Sequence, residues 1–275
     1  MRVSGPALLL SLAALGASAC TFLFPLDESS TKWTDDGGAT EGGPVPAAGA
    51  YSAAVLADAP VVYLRLGEKT GTTAQDERKQ RSGTYGPDVT LGTKGAILGD
   101  PDTAATFNGS ATSRVQLTEG LDFAGKAQFS IEVWVLQPEP VDAAMNFGFA
   151  VDHATYNPRN SWGLRFSSGN IALDRYTNNM AGTAAISHPT TRGVFQHVVG
   201  TYDGTTAALY LDGKLASSAP SSVSLPTTTR GLTVGGQNCP CSSDNFIGTL
   251  DELAIYDKPL TAERVLAHYH ASGRP

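Results

Sequence analysis

Basic charge is scarce in this chain. Its 275 residues carry 19 Lys and Arg against 26 Asp and Glu, a net charge of −7, and no run or patch of Lys or Arg occurs. That argues against nucleic acid as a partner, because such binding needs a concentrated cationic surface. Charge of either sign is low, at 16% of residues, yet the 41% hydrophobic fraction is not that of a disordered chain. No Gly-x-Ser-x-Gly motif is present, so a serine nucleophile elbow has no candidate. Nor does any Glu-x-Asp-x-x-Glu run set two carboxylates on one strand face, about 5–5.5 Å apart, as a retaining glycosidase requires. Glu132 stands alone on its predicted strand, and the adjacent Asp251 and Glu252 are expected on opposite faces. The five His make no metal pattern. His268 and His270 are two apart on a predicted helix, His153 and His188 fall in loops, and His197 shares a strand face with Phe195 and Val199, as a core or edge histidine would. These absences point away from catalysis.

What is present begins with a leader. Arg2 precedes the apolar stretch Ala7 to Leu15, which is of signal-peptide length and too short to span a bilayer as a permanent helix. Residues 1–19 therefore read as a signal peptide. Ala17-Ser18-Ala19 offers the small residues of an A-x-A cleavage site, which would release a soluble protein. Ala17-Ser18-Ala19-Cys20 also resembles a bacterial lipobox, although Leu is commoner at the first position, and Cys20 would then be lipidated. Residues 20–50 follow as a tether. From Asp27 to Ala50 it holds five acidic residues against Lys32 alone, is rich in Gly, Ser, Thr and Pro, and lacks apolar periodicity. A coil of this length spans on the order of 25–30 Å. The expected location is export to a bacterial cell envelope, as a lipoprotein or in the periplasm, or secretion. The membrane would be met through the lipid anchor only.

From Tyr51 the texture changes, and 51–275 reads as one domain. Ser52 is expected to cap a short helix over Ala53 to Ala57, which Pro60 stops. Short strand-like runs then follow one another between turn residues. In Phe129 to Leu136 the odd positions Phe129, Ile131, Val133 and Val135 form one apolar face. Phe195 to Tyr202 and Ala207 to Leu211 are joined by Asp203-Gly204, and Asp212-Gly213 turns the chain again, a meander of hairpins. After a last strand, Phe246 to Tyr256, Thr261 should cap a helix with Glu263 in its first turn and Val265, Leu266 and Tyr269 on one face. With 30 Gly and 16 Pro and over 200 residues of short strands, the chain should be all-β: a two-sheet antiparallel sandwich with short peripheral helices.

Several segments, in this order, resemble the bacterial laminin-G-like (LamG), concanavalin A-like jelly-roll family. They are Ala59 to Glu68, Gly99 to Ala104, Phe107 to Ser110, Phe129 to Val135, His197 to Gly204, Leu209 to Lys214 and Ile247 to Tyr256. The resemblance implies the jelly-roll fold. It also implies a role as a glycan-binding module, an adhesive domain or an appendage of a secreted enzyme; a fold does not choose among these. Family members often have Trp where Leu64 and Phe195 stand. They often have an Asp-x-Ser-Gly-Asn loop where this chain reads Asp76 to Gly83, and tend to hold a structural Ca²⁺ between that loop and the last strand. The resemblance thus implies Asp76 and Asp251 as Ca²⁺ ligands, against six to eight oxygens needed. Arg78, Lys79 and Arg81 beside Asp76 would repel a cation.

Binding candidates are the loop aromatics and amides, which stack on and hydrogen-bond to sugars: Tyr156, Asn157, Arg159 and Asn160 in one loop, Tyr176, Asn178 and Asn179 in another. Such residues are also common in solvated turns. Cys239-Pro240-Cys241 reads as a tight local disulfide, two free thiols, a bridge to another chain or a soft-metal loop. The function expected is a non-catalytic surface module with a glycan or other cell-surface component as partner. The alternative is an adhesive protein–protein domain, and a glycan hydrolase or lyase ranks third.

Overall fold

The computed structural model describes residues 46–118, 121–139, 147–155, 160–177, 182–228, 230–237 and 244–275. The leader, most of the tether, Cys20, Cys239 and Cys241 lie outside them. Among the described residues, two antiparallel sheets of eight strands each are packed face to face, with two short helices. The sequence reading of a jelly-roll sandwich holds.

In the first sheet, β7 (Phe129–Leu136) lies between β12 (Phe195–Tyr202) and β16 (Ile247–Tyr256). Beyond β12 come β13 (Thr206–Leu211) and β14 (Lys214–Pro220); beyond β16 come β5 (Thr103–Asn108) and β4 (Thr90–Lys94), while β1 (Val62–Leu64) also pairs with β16. The second sheet begins β11 (Gly182–Pro189), β10 (Asn170–Thr177), β9 (Asn160–Ser167), β8 (Phe147–Thr155) and β15 (Leu232–Val234). It ends with β6 (Val115–Leu117), β3 (Gly83–Tyr85) and β2 (Thr73–Ala74). The odd positions of β7 face the second sheet and join Trp162, Leu164, Leu173, Val198, Leu250 and Leu253 in the main core.

The even positions Ser130, Glu132 and Trp134 of β7 are buried too, which alternation alone would not indicate. Helix α1 (Ala50–Ala57) and helix α2 (Ala262–Ala271) cover the outer face of the first sheet. There Tyr51, Val55, Leu260 and Val265 pack with Tyr63, Trp134, Val199 and Tyr256 as a second core. Fully burying a side chain the size of Val55 or Val265 contributes roughly 1.5–3 kcal/mol, enough to dock short helices that would not form alone. Helix α2 starts as its sequence indicates: the Thr261 side chain accepts from Arg264 N. Helix α1 starts earlier than expected, with Gly49 at its N-cap and Ser52 inside the first turn, its hydroxyl bonded to Gly49 O.

Two local backbone features shape this sheet. Asp212 and Gly213 both take positive φ, 49° and 76°, making the tight hairpin expected. On β16 the ladder slips by one residue between Asp251 and Ala254, and Glu252 has φ 54°. Leu250 and Leu253, three apart, both face the main core. The slip is a β-bulge, and it overturns the expectation that Asp251 and Glu252 point to opposite faces. Both project away from the core, where each feels the same neighbours, Asp102 and Arg65.

Candidate binding site

The helices leave part of the first sheet's outer face open. A row of side chains crosses it: Phe195 on β12 opposite Leu136 on β7, then Thr249 on β16 and Thr106 on β5. Thr106 Oγ1 is 2.8 Å from Thr249 Oγ1 and 3.0 Å from Thr93 Oγ1, a hydroxyl chain across three strands. The segment Gly95 to Asp102 and the residue Arg274 wall this floor into a groove of about 760 Å³. That volume falls within the range of small-ligand sites, roughly 300–1,000 Å³. Its rim is partly apolar, with Leu98 39% and Val194 49% exposed. Arg274 donates to Ala96 O at 3.1 and 2.8 Å and lies over the Trp134 and Phe195 rings, 5.2 and 5.9 Å from their centroids. Gly95 is required in the wall: a Cβ there would stand 2.8 Å from Asp102 O and 3.1 Å from Asp251 Oδ2.

Beneath the wall lies a cluster of acids around one guanidinium. Arg65 Nη2 donates to Glu252 Oε1 at 2.7 Å and to Asp100 Oδ2 at 3.2 Å. Its Nε is 3.0 Å from Asp102 Oδ2, at ion-pair distance but not aligned as a hydrogen bond. Tyr63 donates its hydroxyl to Glu252. Burial is the main influence on these acids. It pushes Glu252 up to about 7, against the pull of Arg65 and Tyr63. Burial, then the charge of Glu252, holds Asp251 well above the usual carboxylate range, and Asp102 is raised as well. Burial acts the same way on Asp100, but the backbone N–H of Asp102, Arg65 and Gly49 N outweigh it and the net shift is downward.

The Ca²⁺ implied by the family resemblance does not fit the residues present. Asp76 is buried and spends its carboxylate on its own loop. Oδ1 accepts from Tyr63 N (2.9 Å) and Arg78 N (3.1 Å), Oδ2 from Gln80 N (2.9 Å) and Arg81 N (2.8 Å). Asp251 Oδ2 accepts from Ala96 N at 2.7 Å. Around Asp100, Asp102 and Glu252 the cation is Arg65. Among the described residues no three His, Cys, Asp or Glu side chains converge as metal ligands.

Of the loop residues proposed to contact sugar, Tyr156, Asn157, Arg159, Asn178 and Asn179 lie outside the described residues. Asn160 is the first residue of β9 and lines a small pocket with His153, Phe123 and Trp162. Its free volume of about 10 Å³ holds roughly one water molecule. His153 stacks on Trp162 at 4.9 Å between centroids, and burial lowers its pKa against the Arg230 carbonyl. Tyr176 corrects the expectation of an exposed stacking ring. It sits inside β10, paired with Ser161 and Thr183, and is 1% exposed.

Sequence reasoning missed a buried network centred on Glu132. Its carboxylate accepts from Tyr51 Oη (2.8 Å), Tyr256 Oη (2.7 Å), His197 Nε2 (2.8 Å) and His268 Nδ1 (2.9 Å). Burial would raise its pKa, but the two imidazoles outweigh that and hold it far below the carboxylate range. His268 reaches Asp58 through its other nitrogen at 2.9 Å. Glu132, His197 and His268 are all 0% exposed, so this is the bolt that fixes both helices to the sheet, out of reach of any substrate. The only sequence signal was a charged residue on the non-core face of an otherwise apolar strand.

Comparison with known proteins agrees with the fold. A search of curated protein sequences returns no match. Among solved structures, the chain is similar to the binding domain of Paraclostridial Mosquitocidal Protein 1, at 14% identity and a TM-score of 0.60, covering 76% of this chain and 51% of that one. It is similar to the botulinum neurotoxin type G receptor binding domain, at 14% and 0.60, covering 77% and 51%. A third is the botulinum neurotoxin serotype D ligand binding domain in complex with N-acetylneuraminic acid, at 14% and 0.61, covering 80% and 52%. The chain spans about half the length of each of these structures, and at these identities the likeness is one of fold. The Laminin_G_3 family model matches residues 77–266. The chain therefore belongs to the concanavalin A-like lectin/glucanases superfamily.

Proposed function

We propose that this chain is a non-catalytic glycan-binding module, carried on an exported, lipid-anchored protein of a bacterial cell envelope, and that it binds through the groove on the first sheet. The groove itself carries the proposal. It joins the exposed apolar Val194 and Leu98 and the ring of Phe195 to the hydroxyls of Thr93 and Thr249 and the exposed Lys94. Sugars present apolar ring faces and hydroxyl edges together, and such a mixed surface meets both. The membership of a lectin-containing superfamily supports the reading, as does the binding role named for the similar toxin domains.

One observation favours a second reading. Asp100 and Asp102 both line the groove, and their pKa values shift in opposite directions, as a glycosidase acid pair would require. Against it, Arg65 holds both carboxylates, and Asp100 is also engaged by Gly49 N and Asp102 N. The test is a glycan and polysaccharide array probed with the full chain, with Ca²⁺ and with a chelator, beside an assay for new reducing ends. The proposal expects saturable binding to one glycan class, unchanged by the chelator, lost in Phe195→Ala and Lys94→Ala, and no new reducing ends. Release of reducing ends, abolished in Asp102→Asn, would establish the hydrolase instead. A blank array would move the function to a protein partner.

A further inference from the structure

A second cavity lies at the opposite kind of place, on the edge of the sandwich where β11 of one sheet approaches β13 and β14 of the other. It measures about 250 Å³, and its described walls are mostly small: Ala185, Ala207, Ala219, Pro220, Ser221 and Ser222. Ser221 is also the hydrogen-bond partner of a buried cation. Arg175, on β10, is 0% exposed, and its Nη1 donates to Ser221 Oγ at 2.9 Å. Its Nη2 has a long contact of 3.4 Å to Gly125 O, and its Nε, also buried, has no partner. The guanidinium carbon stands 3.4 Å from the centroid of the Tyr202 ring and 6.0 Å from that of Phe129. No carboxylate among the described residues pairs with it, whereas Arg65 and Arg165 each have one or more.

A guanidinium taken out of water without a counter-anion is an expensive arrangement, only partly offset by aromatic faces. Ser221 links this cation to the cavity wall. Ser221 is pinned by its backbone, its N–H on Thr205 O and its carbonyl accepting from Tyr202 Oη. Its hydroxyl oxygen accepts from Arg175, and no described atom accepts the hydroxyl proton, so that proton is free to be donated into the cavity. From these observations we infer that the β11–β14 edge cavity binds a carboxylate ligand of about monosaccharide size, read through Ser221 by Arg175. The carboxylate oxygen takes the Ser221 hydroxyl proton, Arg175 supplies the opposite charge one hydroxyl away, and Ser222 at the exposed mouth meets the rest of the molecule. The site is separate from the groove and stands whether or not the groove binds a glycan.

The test is thermal unfolding of the full chain titrated with sodium glucuronate and with sodium acetate, against glucose and sodium chloride at matched ionic strength. Glucuronate should raise Tm by about 3–6 °C once it exceeds its Kd roughly tenfold, with the shift following a single-site binding curve. Acetate should act in the same direction at higher concentration if the carboxylate alone is read, and not at all if the sugar ring is needed too. Arg175→Met should abolish the shift. Because that change touches the core, Ser222→Trp serves beside it: it fills the exposed cavity mouth, leaves Arg175 in place and should also abolish the shift. No such shift with either carboxylate overturns the inference, and so does an equal shift with chloride or an undiminished shift in Ser222→Trp.

Discussion

Glu132 lies between the first sheet and its two helices; Arg175 lies between the sheets themselves. Both are fully buried charges, and their surroundings differ in kind. Glu132 receives four donors, two of them imidazoles that can carry the opposite charge. Arg175 donates to one hydroxyl oxygen and one distant carbonyl and lies over two aromatic faces. A saturated buried network fixes geometry, because every member loses its partner if one element moves. An unsaturated one leaves binding capacity over. On this contrast the covered face of the first sheet serves architecture, and the spare capacity lies beside Arg175, where the edge cavity is proposed to bind.

The contrast is challenged most directly at its saturated end. Glu132→Ala leaves two hydroxyls and two imidazoles buried without their acceptor, and removing one member of such a set costs about 3–5 kcal/mol. Urea unfolding should show that loss. A cost under about 1 kcal/mol would mean that the helices dock by apolar contact alone. Asp76→Ala comes next. Four backbone N–H groups lose their acceptor, one of them on the buried Tyr63, so the expected cost is about 2–3 kcal/mol. Chelator should leave the Tm of the unaltered protein unchanged; a chelator-induced fall would restore the Ca²⁺ that this loop geometry opposes.

A third test uses pH. Burial would depress His268, but Glu132 and Asp58 overcome it and its pKa is raised above 6.5. Its contribution to stability is complete below the unfolded value and lost as pH rises through the folded one. Glu252 is an acid raised from 4.5 to about 7, so the stability linked to its protonation is likewise complete at low pH and lost as pH rises through about 7. Glu252 therefore weakens the fold as pH rises from about 4.5 to about 7, and His268 as it rises above 6.5. Tm should fall as pH rises from 4.5 through 7, by several degrees, and Glu252→Gln should remove part of the fall. A flat profile would contradict both assignments. Glu132 works in the other sense: its pKa is depressed, so its stabilisation is present above 4.5 and is lost as strong acid is approached.

How far the sequence carries this picture depends on the distance over which each feature is built. The β7 alternation, the Asp212-Gly213 turn and the Thr261 cap are decided by neighbouring residues, and all three were legible. The jelly-roll order was legible because its turn and core motifs recur in sequence. The burial of the even face of β7 was not, since its cover comes from Tyr51 and His268, 81 and 136 residues away from Glu132. The bulge at Glu252 hid the pairing of Asp251 with its neighbour, because alternation assumes an unbroken pleat. The groove was missed for a similar reason. Its lining draws one or two residues from each of five strands, and none of them looks like a ligand contact by itself.

The least change in stability is expected at Arg175, where the contrast is most finely tested. Arg175→Met replaces an unpaired buried cation with an apolar chain of similar length. Exchanging buried charge for well-packed apolar volume is often neutral or favourable, provided no opposite charge is stranded. None is stranded here, because Arg175 has no described carboxylate; Ser221 keeps its backbone bonds and its hydroxyl can turn toward the cavity. The lost contact with Tyr202 pulls the other way by about 1–2 kcal/mol. The two terms nearly cancel, and the variant should unfold within about 1 kcal/mol of the parent protein in urea. A cost approaching that of Glu132→Ala would mean that Arg175 is held as tightly as Glu132, leaving no spare capacity for a ligand. A near-neutral result would show that the fold does not depend on this cation, so that its retention in the core calls for a partner from outside the chain.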